Sequence, residues 1–312
     1  MTPKLFISIL TAIVLCLSIF ACTSKNTSES GTQKIAPYKF PEVPSFITDP
    51  TAQASYAATH FWDNYNFNDT LYISIIDDKQ ALFSNYITAL SYSEKKTIDN
   101  SIKETLKKAE TEETGTMYAA FLKTFKHYLH DPNSPLRNED MYITVLEYAI
   151  ASEKTELATR ERSKFELEMA MKNRVGDKAT DLVYTLSSGK TGSLYSIRSP
   201  YTIILFYNPD CHSCAEIIGG LKASPIITNR VKNKQIAILS FYPDEDLEIW
   251  KKHLQDIPAE WVNGYDKDRK TENEQLYDLK AIPTLYLLDA DKRVLLKDVP
   301  APVLEEYLMI HL

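Results

Sequence analysis

The chain has 312 residues, 44% of them hydrophobic and 25% charged, with a net charge of −7 at neutral pH. This composition can build real hydrophobic cores and excludes a disordered chain. The mildly acidic balance, with no basic run, argues against nucleic acid as a partner. At roughly 150 residues per domain the length predicts two domains.

Residues 1–21 carry one early positive charge, Lys4. The apolar run Leu5–Phe20 follows, broken only by Ser8, Thr11 and Ser18. This is the pattern of a secretory signal peptide rather than a spanning helix. The ending Ile19-Phe20-Ala21-Cys22 resembles the lipobox of bacterial lipoproteins. That resemblance implies that Cys22 carries lipid and anchors the protein to a bacterial membrane, facing the extracytoplasmic space of the cell envelope. An ordinary signal peptide cut nearby and an uncleaved anchor are the alternatives. Residues 22–38 read as a flexible tether, because the Ser, Thr, Asn and Gly of Thr23–Lys34 cannot bury a core.

Residues 39–172 read as an all-α domain. After the proline-punctuated entry Pro37–Pro44, apolar residues recur at helical spacing: Phe83, Tyr86, Ile87 and Leu90, then Ile98, Ile102, Leu106 and Ala109. The same period runs through Met117–Leu129. Pro132 and Pro135 forbid a continuous helix there. Two more helices are expected near Glu139–Ser152 and Thr155–Met171, making about six. The aromatic run His60–Tyr65 could line a ligand pocket, but burial in the core is the stronger reading. His127 and His130 stand one helical turn apart without further ligands, so no metal is expected. Lys103, Lys107 and Lys108, followed by Glu110, Glu112 and Glu113, read as a solvated face.

From residue 173 the period changes. Asp181–Leu186 and Ser193–Ile197, separated by the turn Ser187–Lys190, read as a hairpin. A strand is expected over Tyr201–Tyr207, then a helix past Cys214 with Ile217, Ile218 and Leu221 on its inner face. Next come a strand at Gln235–Tyr242, a helix at Asp244–Leu254 and a short helix at Thr271–Leu279. A strand at Leu285–Leu288, a turn at Asp289–Lys292, the strand Val294–Leu296 and a last helix at Val303–Leu312 complete the chain. Alternating strand and helix define residues 173–312 as an α/β domain.

The chemistry concentrates where the first long strand ends. Asn208-Pro209-Asp210 is a turn and helix-start cluster. It delivers Cys211 to a helix N-terminus and Cys214 one turn further in. A helix N-terminus offers partial positive charge and free N–H groups, which stabilise a thiolate. Two residues three apart in a helical turn fall within the Cα separation of roughly 4.4–6.8 Å that a disulfide requires. Of four cysteines, Cys16 leaves with the signal and Cys22 is used for lipid. Cys211 and Cys214 remain as the one thiol pair. Structural zinc would need about four ligands, and no other cysteine is present. The expected redox group is the Cys211–Cys214 pair itself, with no separate cofactor.

Three features together resemble a thioredoxin-fold domain of the TlpA/ResA type, the exported and membrane-tethered branch. They are Val175-Gly-Asp-Lys-Ala-Thr-Asp-Leu182 with Ser188-Gly-Lys190, the strand–Cys-x-x-Cys–helix unit, and Ile282-Pro283-Thr284. The resemblance implies an α/β thioredoxin-like domain, a central mixed sheet flanked by helices. It implies a thiol–disulfide oxidoreductase acting mostly as a reductase of exported client proteins, recharged by an unidentified membrane electron donor. It also implies a cis-proline loop opposite the cysteines, since X-Pro is where a cis bond is cheap. There Ile282 offers its backbone to the client and Pro283 shapes the groove. Cys211 is the attacking thiol and Cys214 the resolving one. His212 modulates Cys211 if protonated, or is an exposed turn residue. The helical part, with Phe61-Trp62-Asp63 and Tyr128-Leu-His-Asp-Pro-Asn-Ser-Pro135, resembles a domain of unknown function fused before such domains in bacterial lipoproteins. That resemblance implies no activity for it.

The sequence departs from the thioredoxin pattern at two places. His212-Ser213 lacks the proline many relatives carry, and Leu205 stands where thioredoxins proper place a buried acid. Two other function classes stay open. One is a lipid-anchored binding or scaffold protein whose helical domain recognises a partner. The other is a peroxidase of the peroxiredoxin type, which would need Thr or Ser where Asn208 stands.

Overall fold

The structure, a computed structural model, describes residues 37–76 and 81–312. The expected signal peptide, Cys16, Cys22 and the tether as far as residue 36 lie outside the described residues.

Helix α1 (Pro50–His60) starts where the Asp49 side chain accepts the Ala52 N–H at 2.8 Å, a capping geometry with proline at the first helical position. A 3-10 turn (Thr70–Tyr72) and the one-turn α2 (Ile73–Ile76) follow. Then come α3 (Leu82–Ser91), α4 (Lys95–Ala109), α5 (Thr116–Leu129), α6 (Glu139–Ala151, capped by Asn138) and α7 (Leu157–Ala170). The period-3.6 residues Phe83, Tyr86, Ile87 and Leu90 are all fully buried. Phe61, Trp62 and Tyr65 join them, and Trp62 packs edge-on against Tyr86 and Phe121 with centroids 5.1 and 5.2 Å away. The aromatic run therefore builds a core. The buried Tyr86 hydroxyl finds Ser101 at 2.8 Å and Thr105 at 3.0 Å, as a buried polar group must. Tyr38, the last residue of the expected tether, lies stacked on Phe61. His127 faces solvent near Asp131, whereas His130 stacks on Tyr142 at 4.5 Å.

The second half forms a seven-stranded sheet in the order β2-β1-β5-β4-β3-β6-β7. Its strands are β1 (Val183–Leu186), β2 (Thr191–Ser193), β3 (Tyr201–Phe206), β4 (Ile236–Tyr242), β5 (Val262–Tyr265), β6 (Thr284–Leu288) and β7 (Val294–Lys297). β3, β4 and β5 run parallel, and the remaining pairings are antiparallel. The central strands β3 and β4 are apolar apart from Thr202 and Ser240, because both their faces are covered. Successive side chains alternate between the faces. Ile203, Leu205 and Tyr207 meet α8 (His212–Ala223), α9 (Pro225–Lys232) and α12 (Ala301–His311) through Ile218, Leu221, Ile227, Leu304 and Leu308. Ile204 and Phe206 point the other way, into Tyr184, Phe241, Tyr277 and Tyr286. Among the described residues no helix is long and apolar enough to cross a membrane.

Several expected elements change. The strand β5 was not anticipated: Val-Asn-Gly-Tyr is too short and polar to show a pattern, and pairing with β4 and β1 creates it. Gly264 is required there, because a Cβ would lie 2.8 Å from Tyr184 Cβ. The helix expected over Thr271–Leu279 stops early, as α11 (Lys270–Asn273). Gln275 takes a positive φ of 50° and turns Tyr277 down onto Phe206. The helix expected over Asp244–Leu254 narrows to α10 (Leu247–Lys252), followed by a 3-10 turn ahead of Pro258.

The helical and sheet-bearing parts share one compact unit, Tyr38–Leu312. Charges are buried at their junction. Glu139 at the start of α6 reaches Lys280 Nζ at 3.1 Å and Lys297 Nζ at 2.8 Å. Arg137 lies 3.2 Å from the Asp298 carboxylate and donates to the Asp298 carbonyl at 2.6 Å. Lys297 also donates to the carbonyls of Ala170 and Lys172.

Candidate active site

β3 ends at Phe206, and the buried Tyr207 hands the chain to a side-chain-built turn. The Asn208 carboxamide oxygen accepts the Asp210 N–H at 3.1 Å, and its NH2 donates to Asp244 at 2.8 Å. This Asx-type turn is the local reason the strand stops there. Cys211 follows as the N-cap of α8, in extended backbone conformation. Its Sγ accepts the Cys214 N–H at 3.2 Å, so a sulfur does the work usually done by a Ser or Asp oxygen. The positive end of α8 therefore faces this sulfur.

Cys214, one turn inward, is 1% exposed. Its Sγ accepts the Asn208 N–H at 3.4 Å. Burial pushes this thiol up to about 12; the Asn208 N–H opposes that shift and the neighbouring Cys211 sulfur adds to it. Both cysteines are free thiols, Cys211 half-buried and Cys214 buried. The pair is thus asymmetric: one sulfur can meet a partner and the other waits behind it.

The loop before β6 closes the site from the opposite side. The Ile282–Pro283 bond is cis, and the Cys211 thiol lies 3.6 Å from the Ile282 carbonyl, in position to donate to it. The structure therefore brings Cys211, Cys214, Ile282 and Pro283 together. It sets His212 apart, exposed on the flank of α8 with Nε2 3.3 Å from Glu216. Leu205 is fully buried in the apolar cluster around Cys214, with Tyr207 and Ile218.

Sequence reasoning missed two contributors. Asn208 was legible as a turn residue, but its N–H bond to the buried Cys214 sulfur depends on the three-dimensional return of α8. The second is the helical domain. A cleft of about 840 Å³ opens beside Ile282, with Asp244 on the sheet side and Lys126, Arg162 and Phe165 on the helical side. No spacing rule joins residues so far apart in sequence.

A mixed sheet with three parallel central strands, a thiol pair at the N-terminus of the helix after the first of them and a cis-proline loop opposite define a thioredoxin-like domain. The chain belongs to the thioredoxin-like family, with a second domain ahead of the sheet. A thioredoxin-like family model matches residues 200–294, and the model of a domain of unknown function, DUF5106, matches residues 21–173. A thioredoxin-like protein from Bacteroides caccae is 44% identical and superposes with a TM-score of 0.84, covering 89% of this chain and 100% of that one. The C-terminal domain of an uncharacterized protein from Bacteroides fragilis is 53% identical over 44% of this chain and 98% of that chain, with a TM-score of 0.43. A conserved protein of unknown function from the same species is 36% identical over 43% of this chain and 98% of its own, also with a TM-score of 0.43. No curated protein matches the chain.

Proposed function

We propose that this protein is a membrane-tethered thiol–disulfide oxidoreductase of the TlpA/ResA type that reduces disulfides of exported proteins. The observation that carries this reading is the layered thiol pair: Cys211 reachable at a helix N-terminus, Cys214 buried behind it, and the Ile282 carbonyl 3.6 Å from the outer sulfur. In the reaction, the Cys211 thiolate attacks one sulfur of a client disulfide. The client S–S bond breaks, a Cys211–client mixed disulfide forms, and the first client sulfur leaves and takes a proton. Cys214 then loses its proton and attacks Cys211 Sγ. That step expels the second client sulfur and leaves the Cys211–Cys214 disulfide. Two electrons have passed to the client, and a membrane dithiol donor returns them to the pair. Ile282 and Pro283 supply the surface along which the client lies, and Cys22 would hold the protein to lipid.

Cys214→Ser tests the assignment. It should accumulate a mixed disulfide with client through Cys211, visible as a reductant-sensitive adduct on a gel, whereas Cys211→Ser should accumulate none. Equal trapping by both variants would overturn the roles. A measured reduction potential as high as that of strong dithiol oxidants would overturn the reductase direction.

A further inference from the structure

The charges of the cleft beside Ile282 are unequally satisfied. On its sheet side Asp244 is bonded to Asn208, Glu272 pairs with Arg269, and Asp278 lies 2.6 Å from Lys280 Nζ. On its helical side Lys126 and Glu166 pair with each other, and the Tyr142 hydroxyl donates to Glu166 at 2.5 Å. Arg162 of α7 is the exception. It is exposed in the cleft and has no carboxylate partner and no hydrogen bond among the described residues. Phe165, three residues on and so on the same helix face, leaves 48% of its surface exposed in the same cleft. The guanidinium and the exposed ring thus stand together on one wall of the cleft, open to a ligand.

This wall is fixed relative to the thiol site. Lys280 stands two residues before Ile282 and is clamped between Asp278 of its own loop and Glu139 of the helical domain. The loop that faces Cys211 and the helices that carry Arg162 and Phe165 are therefore held together through buried contacts. A client chain lying along Ile282 extends at about 3.3 Å per residue. A few residues beyond its cysteine it must leave the thioredoxin-like surface, and the cleft is the neighbouring space.

We propose that the helical domain is the second wall of the client groove. An extended polypeptide segment docked at Ile282 continues into the cleft, where Phe165 takes an apolar side chain and Arg162 a carboxylate. The inference rests on the thiol–disulfide reading above and adds the substrate class: disulfides in polypeptides with an acidic and an apolar residue flanking the cysteine, in preference to small disulfides that never reach the wall.

The test compares two substrates on the full-length protein. One is a disulfide-cyclised peptide with Glu and Leu flanking its cysteines. The other is bis(2-hydroxyethyl) disulfide. For Arg162→Glu the ratio of kcat/KM, peptide over small disulfide, should fall by about tenfold, chiefly through KM, the scale of one lost directional contact. Phe165→Ala should lower the same ratio. A peptide with Lys in place of Glu should recover turnover by Arg162→Glu. An unchanged ratio in both variants, or no recovery with the Lys peptide, overturns the proposal. A change in sedimentation of Arg162→Glu without a change in ratio overturns it too, and assigns the wall to a second copy of the chain. If the unmodified protein reduces neither substrate, the thiol–disulfide reading fails and the inference falls with it.

Discussion

Glu139→Gln removes the charge on which the junction of the two domains turns. One carboxylate oxygen lies 3.1 Å from Lys280 Nζ and the other 2.8 Å from Lys297 Nζ. The lysine side chains are 9% and 5% exposed, and Glu139 is 24% exposed. Burial pulls Lys297 below the ordinary lysine range, and Glu139 pulls it back. For Lys280 burial acts the same way, but Asp278 and Glu139 outweigh it and hold it above that range. Glutamine keeps the shape and one acceptor oxygen but turns an NH2 donor toward an ammonium. Lys280 would retain Asp278; Lys297 would retain only the carbonyls of Ala170 and Lys172. Removing one partner of a buried pair costs about 3–5 kcal/mol. The partial exposure of Glu139 and the surviving partners bring the expected loss to about 2–3 kcal/mol. With a urea m-value near 3 kcal/mol/M, the unfolding midpoint should drop by about 0.7–1 M. Because Arg137 and Asp298 tie the same junction, the unmodified protein should unfold in one transition followed equally by fluorescence and circular dichroism. A loss below about 0.5 kcal/mol, the scale of a solvent-screened pair, would refute the claim that these charges join the domains.

Two further predictions concern the thiol pair and its tether. In the reduced pair the Cys214 thiol is pushed up to about 12, chiefly by burial; burial persists once Cys211 is bonded to a client, so the thiolate fraction should still rise about tenfold per pH unit across the neutral range. Resolution of the mixed disulfide, followed by rapid acid quench in a single turnover, should accelerate about tenfold per unit between about pH 6 and 9; a flat profile would show that another group takes the proton. Cys22→Ser should move the protein from the membrane pellet to the soluble fraction. Continued sedimentation with lipid would refute lipidation at Cys22.

The site was legible in the sequence where local rules act alone. The apolar run Tyr201–Tyr207 reads as a buried strand, and the structure sets Ile203, Leu205 and Tyr207 on one face and Ile204 and Phe206 on the other. The Cys-x-x-Cys spacing sets both sulfurs on one helical turn, and Asn208-Pro209-Asp210 marks where the helix starts. What stayed hidden depends on partners distant in the chain. β5 exists because β4 and β1 flank it, not because Val-Asn-Gly-Tyr favours a strand. The helical period over Thr271–Leu279 is cut at Gln275 because Tyr277 is drawn into the core beneath Phe206. The Glu139–Lys280 contact spans 141 residues, and both residues read in sequence as ordinary surface charges.

Leu205 has a consequence for how Cys214 gives up its proton. With leucine in place of an acid, Cys214 Sγ has two polar neighbours among the described residues: the Asn208 N–H and the Cys211 sulfur. In the reduced pair the Cys211 sulfur helps to keep the Cys214 proton in place. In the mixed disulfide proposed above the Cys211 sulfur carries no charge, so its charge no longer opposes ionisation of Cys214. Burial remains, opposed by a single peptide N–H. On the mechanism proposed above, the inner thiol becomes easier to ionise only after the outer one has bonded to the client, the stage at which it must attack Cys211 Sγ. Asn208 is central to this ordering, because its backbone N–H faces the inner sulfur while its side chain, tied to Asp244 and Asp210, fixes the turn that presents the outer one.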